Sequence, residues 1–166
     1  EVDTFMFEGH DTTTSGISFT ILHLAKHQDV QQRLYEEIDR MLGEEKTNVP
    51  LTNALLQDFK YLDMVIKESL RLVPPVPIIG RKLLEDMEII SCRQNRPSVS
   101  YELLADGTTI PAGTTISLNI FNVHRNPKVF PEPEKFIPER FSDANEIKRG
   151  PYDYIPFSAG FRNCIG

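Results

Sequence analysis

The last ten residues hold the most distinctive chemistry of the chain, a cysteine placed between two glycines. From Phe157 to Gly166 they read F-x-x-G-x-R-x-C-x-G, with the thiol at Cys164. A thiolate is a strong metal ligand, and Gly160 lets the backbone turn tightly around it without a Cβ clash. Arg162 carries a planar guanidinium that suits a carboxylate. The pattern predicts a loop that presents a metal-binding sulfur, and the alternative is a structural cysteine buried after a turn.

A second segment, residues 8–14, reads E-G-H-D-T-T-T and forms helix poorly on propensity. Such a conflict with local preference is common where residues are kept for function. On a helix Glu8, Asp11 and Thr12 fall at i, i+3 and i+4, so they share one face. The alternative for Thr12 is a hydroxyl that bonds back to a carbonyl of its own helix.

Two weaker patterns complete the set. Glu68 and Arg71 form E-x-x-R, in which the two charges share a helix face and can pair. Alone this pattern indicates no more than an exposed ion pair. It is followed later by P-E-R-F at 138–141, so that Arg140 is available to join the pair.

The four motifs, in the order in which they follow one another along the chain from residue 8 to residue 166, resemble those of the cytochrome P450 family, the haem-thiolate monooxygenases. The resemblance implies a haem b bound through Cys164 as the iron ligand. Arg162 would pair with one propionate and Arg81 with the other. Phe157 would cover the sulfur and exclude water, and Gly160 would allow the loop its turn. Glu68, Arg71 and Arg140 would form a buried structural triad.

The resemblance also assigns the segment around residue 10 to oxygen activation. The Thr12 hydroxyl would form a hydrogen bond with dioxygen or with an ordered water. Asp11 would relay protons from solvent, and Gly9 would leave room for dioxygen. Glu-Gly-His-Asp-Thr-Thr is the form typical of family four within this superfamily. There the glutamate that corresponds to Glu8 can form an ester with a haem methyl group.

Helices and strands must position these motifs. Eleven of the twelve prolines lie after residue 73, which divides the chain into a proline-poor part and a proline-rich part. The part before them predicts helices over 1–26, 28–42 and 60–72, with an apolar stripe on the second. Gly43 should end the second helix, and Thr52 should cap a short helix. The proline-rich part predicts turns and short strands, one of them over 114–119. The expected fold is mainly α with a small β-sheet (α+β), a partial cytochrome P450 fold.

After the third helix, the resemblance places Val76, Ile78 and Ile79 in the wall of a substrate pocket. Residues 90–106 have no counterpart in the usual pattern and predict an inserted loop at a hairpin tip, or untranslated sequence read in frame. We expect residues 1–166 to be the C-terminal part of a single domain, a piece of a longer protein.

Composition narrows the class further. The formal net charge of −6 argues against nucleic-acid binding, and two cysteines make no disulfide framework. The resemblance implies a lipophilic substrate, electrons from NADPH through a cytochrome reductase, and cytochrome b5 as a further partner. It also implies the cytoplasmic face of the endoplasmic reticulum, with a membrane anchor outside this chain. Rival functions are a peroxide-rearranging haem-thiolate enzyme, a non-catalytic haem- or lipid-binding protein, and an unrelated redox or zinc protein.

Overall fold

The computed structural model describes residues 2–43, 49–89, 107–143 and 149–165. Within these ranges the helices are α1 (Val2–Lys26), α2 (Gln28–Leu42), α3 (Asn53–Asp58), α4 (Lys60–Leu72) and the short α5 (Ile120–Val123). The strands are β1 (Ile78–Lys82), β2 (Met87–Ile89), β3 (Thr108–Ile110) and β4 (Thr115–Asn119). Strand β1 pairs antiparallel with β4, and β2 with β3, as two separate ribbons. The mainly α architecture with small sheets is as expected from the sequence.

The helix limits follow from local chemistry. Helix α2 ends at Gly43, whose φ of 62° lies in the left-handed region and whose N–H donates to the Asp39 carbonyl. Helix α3 begins after Thr52, whose side-chain oxygen accepts from the Leu55 amide at 3.2 Å. Both features confirm the sequence prediction.

The hydrophobic core lies between α2, α4 and the chain that follows the sheets. Val30 and Leu34 of α2 pack with Val65 and Leu72 of α4, and Phe136 closes the cluster. The apolar stripe predicted on α2 therefore faces α4. This packing gives α4 a fixed position against which the later loops are built.

The N-terminus of α4 is capped from a different helix. The buried Glu37, on α2, accepts two backbone hydrogen bonds from α4. One carboxylate oxygen accepts from the Tyr61 amide at 2.8 Å, and the other accepts from the Leu62 amide at 3.0 Å. These are amides of the first turn, which lack partners inside the helix. The residue before α4, Phe59, makes no side-chain cap of its own. A carboxylate at a helix N-terminus is also favoured by the helix dipole.

Near the other end of α4, the predicted triad is present and buried. Glu68 accepts from Arg71 Nε at 2.7 Å and Nη2 at 2.9 Å, and from Arg140 Nε at 3.3 Å. The amide of Ile137 donates to the same carboxylate at 2.9 Å. The side chains of Glu68 and Arg71 are fully buried, and Arg140 is 9% exposed. The triad thus joins α4 to the 3₁₀ turn Pro138–Phe141.

Helix α1 rests on α4 at a narrow crossing. Gly16 lies where an added Cβ would meet Leu70 at 3.6 Å and Pro75 at 3.8 Å. One turn further on, the Thr20 hydroxyl lies 2.9 Å from the Ser69 hydroxyl and 2.7 Å from the Gly16 carbonyl. None of the residues of α1 is fully buried. The small residue and the hydroxyl pair therefore locate α1 on α4.

Two further features are the predicted inserted segment and the apolar character of the helices. The inserted segment predicted at 90–106 is outside the described residues. Among the helices that are described, none is both long and apolar enough to cross a membrane.

We predict that Arg71→Met destabilises the protein by about 3–5 kcal/mol, because it leaves the Glu68 carboxylate without its main buried partner. Denaturant unfolding followed by circular dichroism measures the change. Asp63→Ala is the control on the same helix: its pair with Lys67 at 2.8 Å is partly exposed, so the loss should be about 0–1 kcal/mol. Equal effects of the two substitutions would contradict a structural role for the triad.

Candidate haem-thiolate site

A cavity of about 520 Å³ lies among α1, α4, β1 and the loop that ends the described chain. Its volume falls in the range of about 300–1,000 Å³ that is usual for ligand and cofactor sites. Apolar side chains and small hydroxyls dominate its wall. The lining residues are Thr12, Thr13, Gly16, Ile17, Thr20, Ile21, Leu62, Ile66, Leu70, Pro75, Val76, Ile79, Ile120, Pro156, Phe157, Ser158 and Cys164.

Two of the predicted motifs meet in this cavity. Thr12 of α1 and Cys164 of the terminal loop both line it, although they are 152 positions apart in the chain. Phe157 lines it as well. The structure thus brings one hydroxyl and one thiol from distant segments to a shared, mostly apolar space.

The other predicted site residues do not belong to the wall of this cavity. This set comprises Glu8, Gly9, Asp11, Arg81, Gly160 and Arg162. Their assigned roles stay predictions. The open space around Gly9 is compatible with its predicted role, since an added Cβ there would meet no heavy atom within 4 Å.

The loop that carries the cysteine has the tight turn expected of it. Gly160 has a φ of 77°, and Ser158 has a φ of 65°, which is uncommon for a residue with a side chain. A 3₁₀ turn runs over Gly160–Arg162, and the Cys164 amide donates to the Phe157 carbonyl at 2.9 Å. The thiol side chain is exposed. The loop therefore closes on itself and leaves its sulfur accessible.

Strand β1 reaches this loop through Arg81. Its Nη2 donates to the Ser158 hydroxyl at 3.2 Å, and its Nη1 donates to the Gly80 carbonyl at 2.8 Å. Arg162 is exposed on the loop itself. Two guanidinium groups, those of Arg81 and Arg162, are thus available at the thiol loop for an anionic group. Their contacts with haem propionates stay predictions.

The same strand shows which pocket residues were predicted correctly. Val76 and Ile79 line the cavity, but Ile78 does not and is exposed. Successive side chains of a strand point to opposite faces, so Ile78 and Ile79 cannot both face one space. The expectation that Ile78 lines the pocket is therefore wrong.

Thr12 makes the bond that was considered as the alternative to a functional role. Its hydroxyl donates to the Glu8 carbonyl at 2.8 Å. A hydroxyl has two lone pairs besides its single proton, so Thr12 can still accept a hydrogen bond on the cavity side. Since Glu8 and Thr12 lie four residues apart in α1, they share one helix face, as the spacing predicts.

Asp11 forms a pair with its neighbour. Its Oδ1 lies 2.9 Å from His10 Nδ1, and both side chains are exposed. A carboxylate and an imidazole in contact can both take up and release protons from solvent. The His10 imidazole is thus held in a polar contact beside the carboxylate.

The anchors of the cysteine loop were missed by the sequence analysis. The Tyr154 hydroxyl donates to the Lys67 carbonyl of α4 at 2.9 Å, and the Ile155 amide donates to His124 Nε2 at 2.8 Å. Burial raises the pKa of Tyr154, which keeps its hydroxyl protonated as a donor. Neither Tyr154 nor His124 belongs to a motif with a chemical role. Only His124 lies in a recognisable run, H-R-N-P, that could have drawn attention to it.

The donor set suits haem rather than a bare metal ion. Over the described ranges, no three His, Cys, Asp or Glu side chains come together as a metal cluster. A lone thiol beside an apolar cavity suits a metal that brings its other ligands in a porphyrin. The arginines beside the loop suit carboxylates of the same group. The residues present therefore fit a haem.

The family assignment agrees with this site. The model of the family described as "Cytochrome P450" matches residues 1–166, and the chain belongs to that family. Among curated proteins of Drosophila melanogaster, it is 51% identical to "Cytochrome P450 4d2", 48% to "Cytochrome P450 4d8" and 46% to "Cytochrome P450 4c3", each over the whole of this chain. It covers 30%, 33% and 28% of those proteins, so it spans about a third of their length.

We predict that Gly160→Ala destabilises the protein by about 1–2 kcal/mol, the cost of a side chain in the left-handed region. Gly80→Ala is the matched control: it is also a glycine with open space around it, but its φ is not in that region. Thermal unfolding of both variants measures the difference. Equal midpoints would show that the turn at Gly160 relaxes without cost.

Proposed function

We propose that the protein of which this chain is part is a haem-thiolate monooxygenase, which inserts one oxygen atom of dioxygen into a lipophilic organic substrate. The observation that carries the proposal is that Thr12 and Cys164 line the same cavity. A thiol and a hydroxyl meet there at a mostly apolar wall. Membership of the cytochrome P450 family supports the same reaction class.

The cofactor of this proposal is haem b, held by the terminal loop. Cys164 would supply the thiolate ligand, Arg162 and Arg81 the guanidinium groups for the propionates, and Phe157 an apolar cover. Gly160 allows the turn that exposes the sulfur. When bound, haem supplies the redox chemistry that activates dioxygen.

The remaining wall is suited to a lipophilic substrate. Ile17 and Ile21 of α1 and Ile66 of α4 line the cavity. The lining residues named above include no charged side chain. Apolar surface binds apolar molecules and excludes water, which strengthens the polar contacts that remain. The wall offers few polar groups to orient a ligand, so orientation falls to the hydroxyls of α1.

Those hydroxyls and their neighbours handle protons in the proposed reaction. Thr12 donates a hydrogen bond to the Glu8 carbonyl, and its oxygen can accept a hydrogen bond from the cavity side. Asp11 and His10, in contact and exposed, would pass protons from solvent toward Thr12. A positioned proton donor of this kind contributes about 10²–10⁴-fold to a rate.

We predict that Thr12→Val lowers product formation on the order of 100-fold, because valine keeps the volume but removes the proton-holding group. The assay uses the full-length protein with NADPH and a cytochrome reductase, and follows product and hydrogen peroxide per NADPH consumed. Thr13→Val is the control, since Thr13 also lines the cavity but belongs to no proposed relay.

The same assay tests the function as a whole. The reduced wild-type protein should give the carbon monoxide band of a thiolate-bound haem and should form product only with NADPH and reductase. Product from organic peroxides without either would favour a peroxide-rearranging enzyme. A missing thiolate band would contradict the proposal.

We further propose that Glu8 is joined to a haem methyl group by an ester, as in family four: the new C–O bond would replace a methyl C–H bond, and dioxygen consumed in the proposed reaction would take up the two electrons and the proton released. Support comes from the Glu-Gly-His-Asp-Thr-Thr sequence and from the position of Glu8 four residues before Thr12 in α1. A covalent link would hold the haem rigidly and restrict which end of a long substrate reaches the reacting centre.

We predict that acidified organic solvent leaves part of the haem on the wild-type polypeptide and removes all of it from Glu8→Gln, since an amide cannot form the ester. Absorbance of the extracted and precipitated fractions measures the split. Glu36→Gln, at an exposed glutamate on α2, should behave as the wild type. Complete extraction from the wild type would disprove the ester.

The partners and location are proposed by family resemblance. An NADPH-dependent cytochrome reductase would supply the electrons, with cytochrome b5 as a second donor. The protein would lie on the cytoplasmic face of the endoplasmic reticulum, held by a membrane segment outside this chain. Exposed cationic side chains such as Arg162, on the loop of the cysteine, support docking of an acidic partner.

A further inference from the structure

His124 is a fully buried histidine just after α5 that the proposed reaction does not use. Its backbone is fixed from two sides. Its amide donates to the Ile120 carbonyl at 3.0 Å, and its carbonyl accepts from Arg71 Nη1 at 3.0 Å. The ring of Tyr154 packs beside the imidazole, with the centroids 5.0 Å apart. The imidazole is therefore held in place by the triad helix on one side and the cysteine loop on the other.

The hydrogen bond at Nε2 defines the state of this imidazole. Because the Ile155 amide donates to Nε2 at 2.8 Å, Nε2 must carry a lone pair, and the proton must be on Nδ1. Burial, and then the charge of Arg71, lowers the pKa of His124 to about 4. The ring is thus a neutral acceptor, which is what the Ile155 amide requires.

A short series of bonds connects this acceptor with the cysteine. The Ile155 carbonyl accepts from the Ser158 amide at 3.1 Å, and the Phe157 carbonyl accepts from the Cys164 amide at 2.9 Å. His124 therefore fixes the residue at which the loop begins, and the loop's own backbone bonds carry that position to Cys164. The other tie at this point, from Tyr154 to Lys67, fixes a side chain and not the backbone.

We propose that His124 is a positioning residue for the thiolate: its Nε2 holds the Ile155 amide so that the loop presents the Cys164 sulfur to the cofactor. The inference rests on the proposed function, since it assumes that Cys164 is the iron ligand. It adds a residue outside the Glu68–Arg71–Arg140 triad. Arg71 holds the backbone of His124, and the imidazole then holds the loop.

The test compares two variants of the full-length haem protein. His124→Gln can place a carbonyl oxygen near the position of Nε2, whereas His124→Leu fills the space without an acceptor. We expect the thiolate-type carbon monoxide band of the Leu variant to be lost at least tenfold faster than that of the wild type on mild warming. The Gln variant should stay within about threefold of the wild-type rate. Total haem content, measured separately, should change little.

A second measurement reports on the Ile155 amide itself. Hydrogen exchange in a peptide that spans 153–158 should speed up at least tenfold in His124→Leu and little in His124→Gln. His27→Leu is the control, because His27 is a partly buried histidine that contacts Phe136 and not the cysteine loop. It should leave both the band and this exchange unchanged.

Should His124→Leu fail to fold, His124→Gln and His124→Asn still decide the question. Both are polar amides, but the asparagine carbonyl is one methylene short of Ile155, so its band should decay at least fivefold faster. Equal decay in Gln and Asn, or a stable band in Leu, would overturn the role of His124 alone. A wild type without any thiolate band would instead overturn the proposed function, and this inference with it.

Discussion

The arrangement of the described chain depends on one buried cation, the guanidinium of Arg71. Its five N–H groups make five bonds, two to Glu68 and three to the carbonyls of His124, Pro133 and Lys135. A buried ion pair with all donors satisfied adds little net stability over replacement of all its charged members by apolar residues, but it tolerates few alternative arrangements. The carbonyls that it holds belong to the irregular chain between the sheets and the cysteine loop. Residues 124–137, which include all three carbonyls, form no helix or strand, so the arginine defines their path.

The opposite wall of the cavity is attached much more lightly. Helix α1 has no fully buried residue, and it meets α4 at Gly16 and through the hydroxyls of Thr20 and Ser69. Ser69 is the neighbour of Glu68, so the triad and the contact with α1 lie side by side on α4. The distance between Thr12 and the cysteine loop is therefore set by α4, which carries both attachments. A displacement of α4 would alter both walls of the cavity at once.

The sequence predicted the parts of this arrangement that depend on nearby residues. The limits of α2 and α4, the turn at Gly43 and the cap at Thr52 follow from periodicity and from residues within a turn. The ion pairs of the triad were expected from the family motifs. The capping of α4 by Glu37 was not predicted, nor was the bond from Ile155 to His124. Each depends on which backbone amide the fold brings to a distant side chain, and sequence spacing contains no such information.

Strand β1 shows how much of the cavity is determined by backbone pairing. Its register with β4 matches Ile79 with Leu118 and Arg81 with Ile116, and these two residues of β1 respectively line the cavity and contact the cysteine loop. A shift of pairing by a single position would turn Ile78, Gly80 and Lys82 inward instead. An ammonium group would then replace hydrocarbon beside the pocket, and the loop would lose its guanidinium. The register of this short ribbon, set by main-chain hydrogen bonds, thus determines which side chains of β1 reach the cavity and the loop.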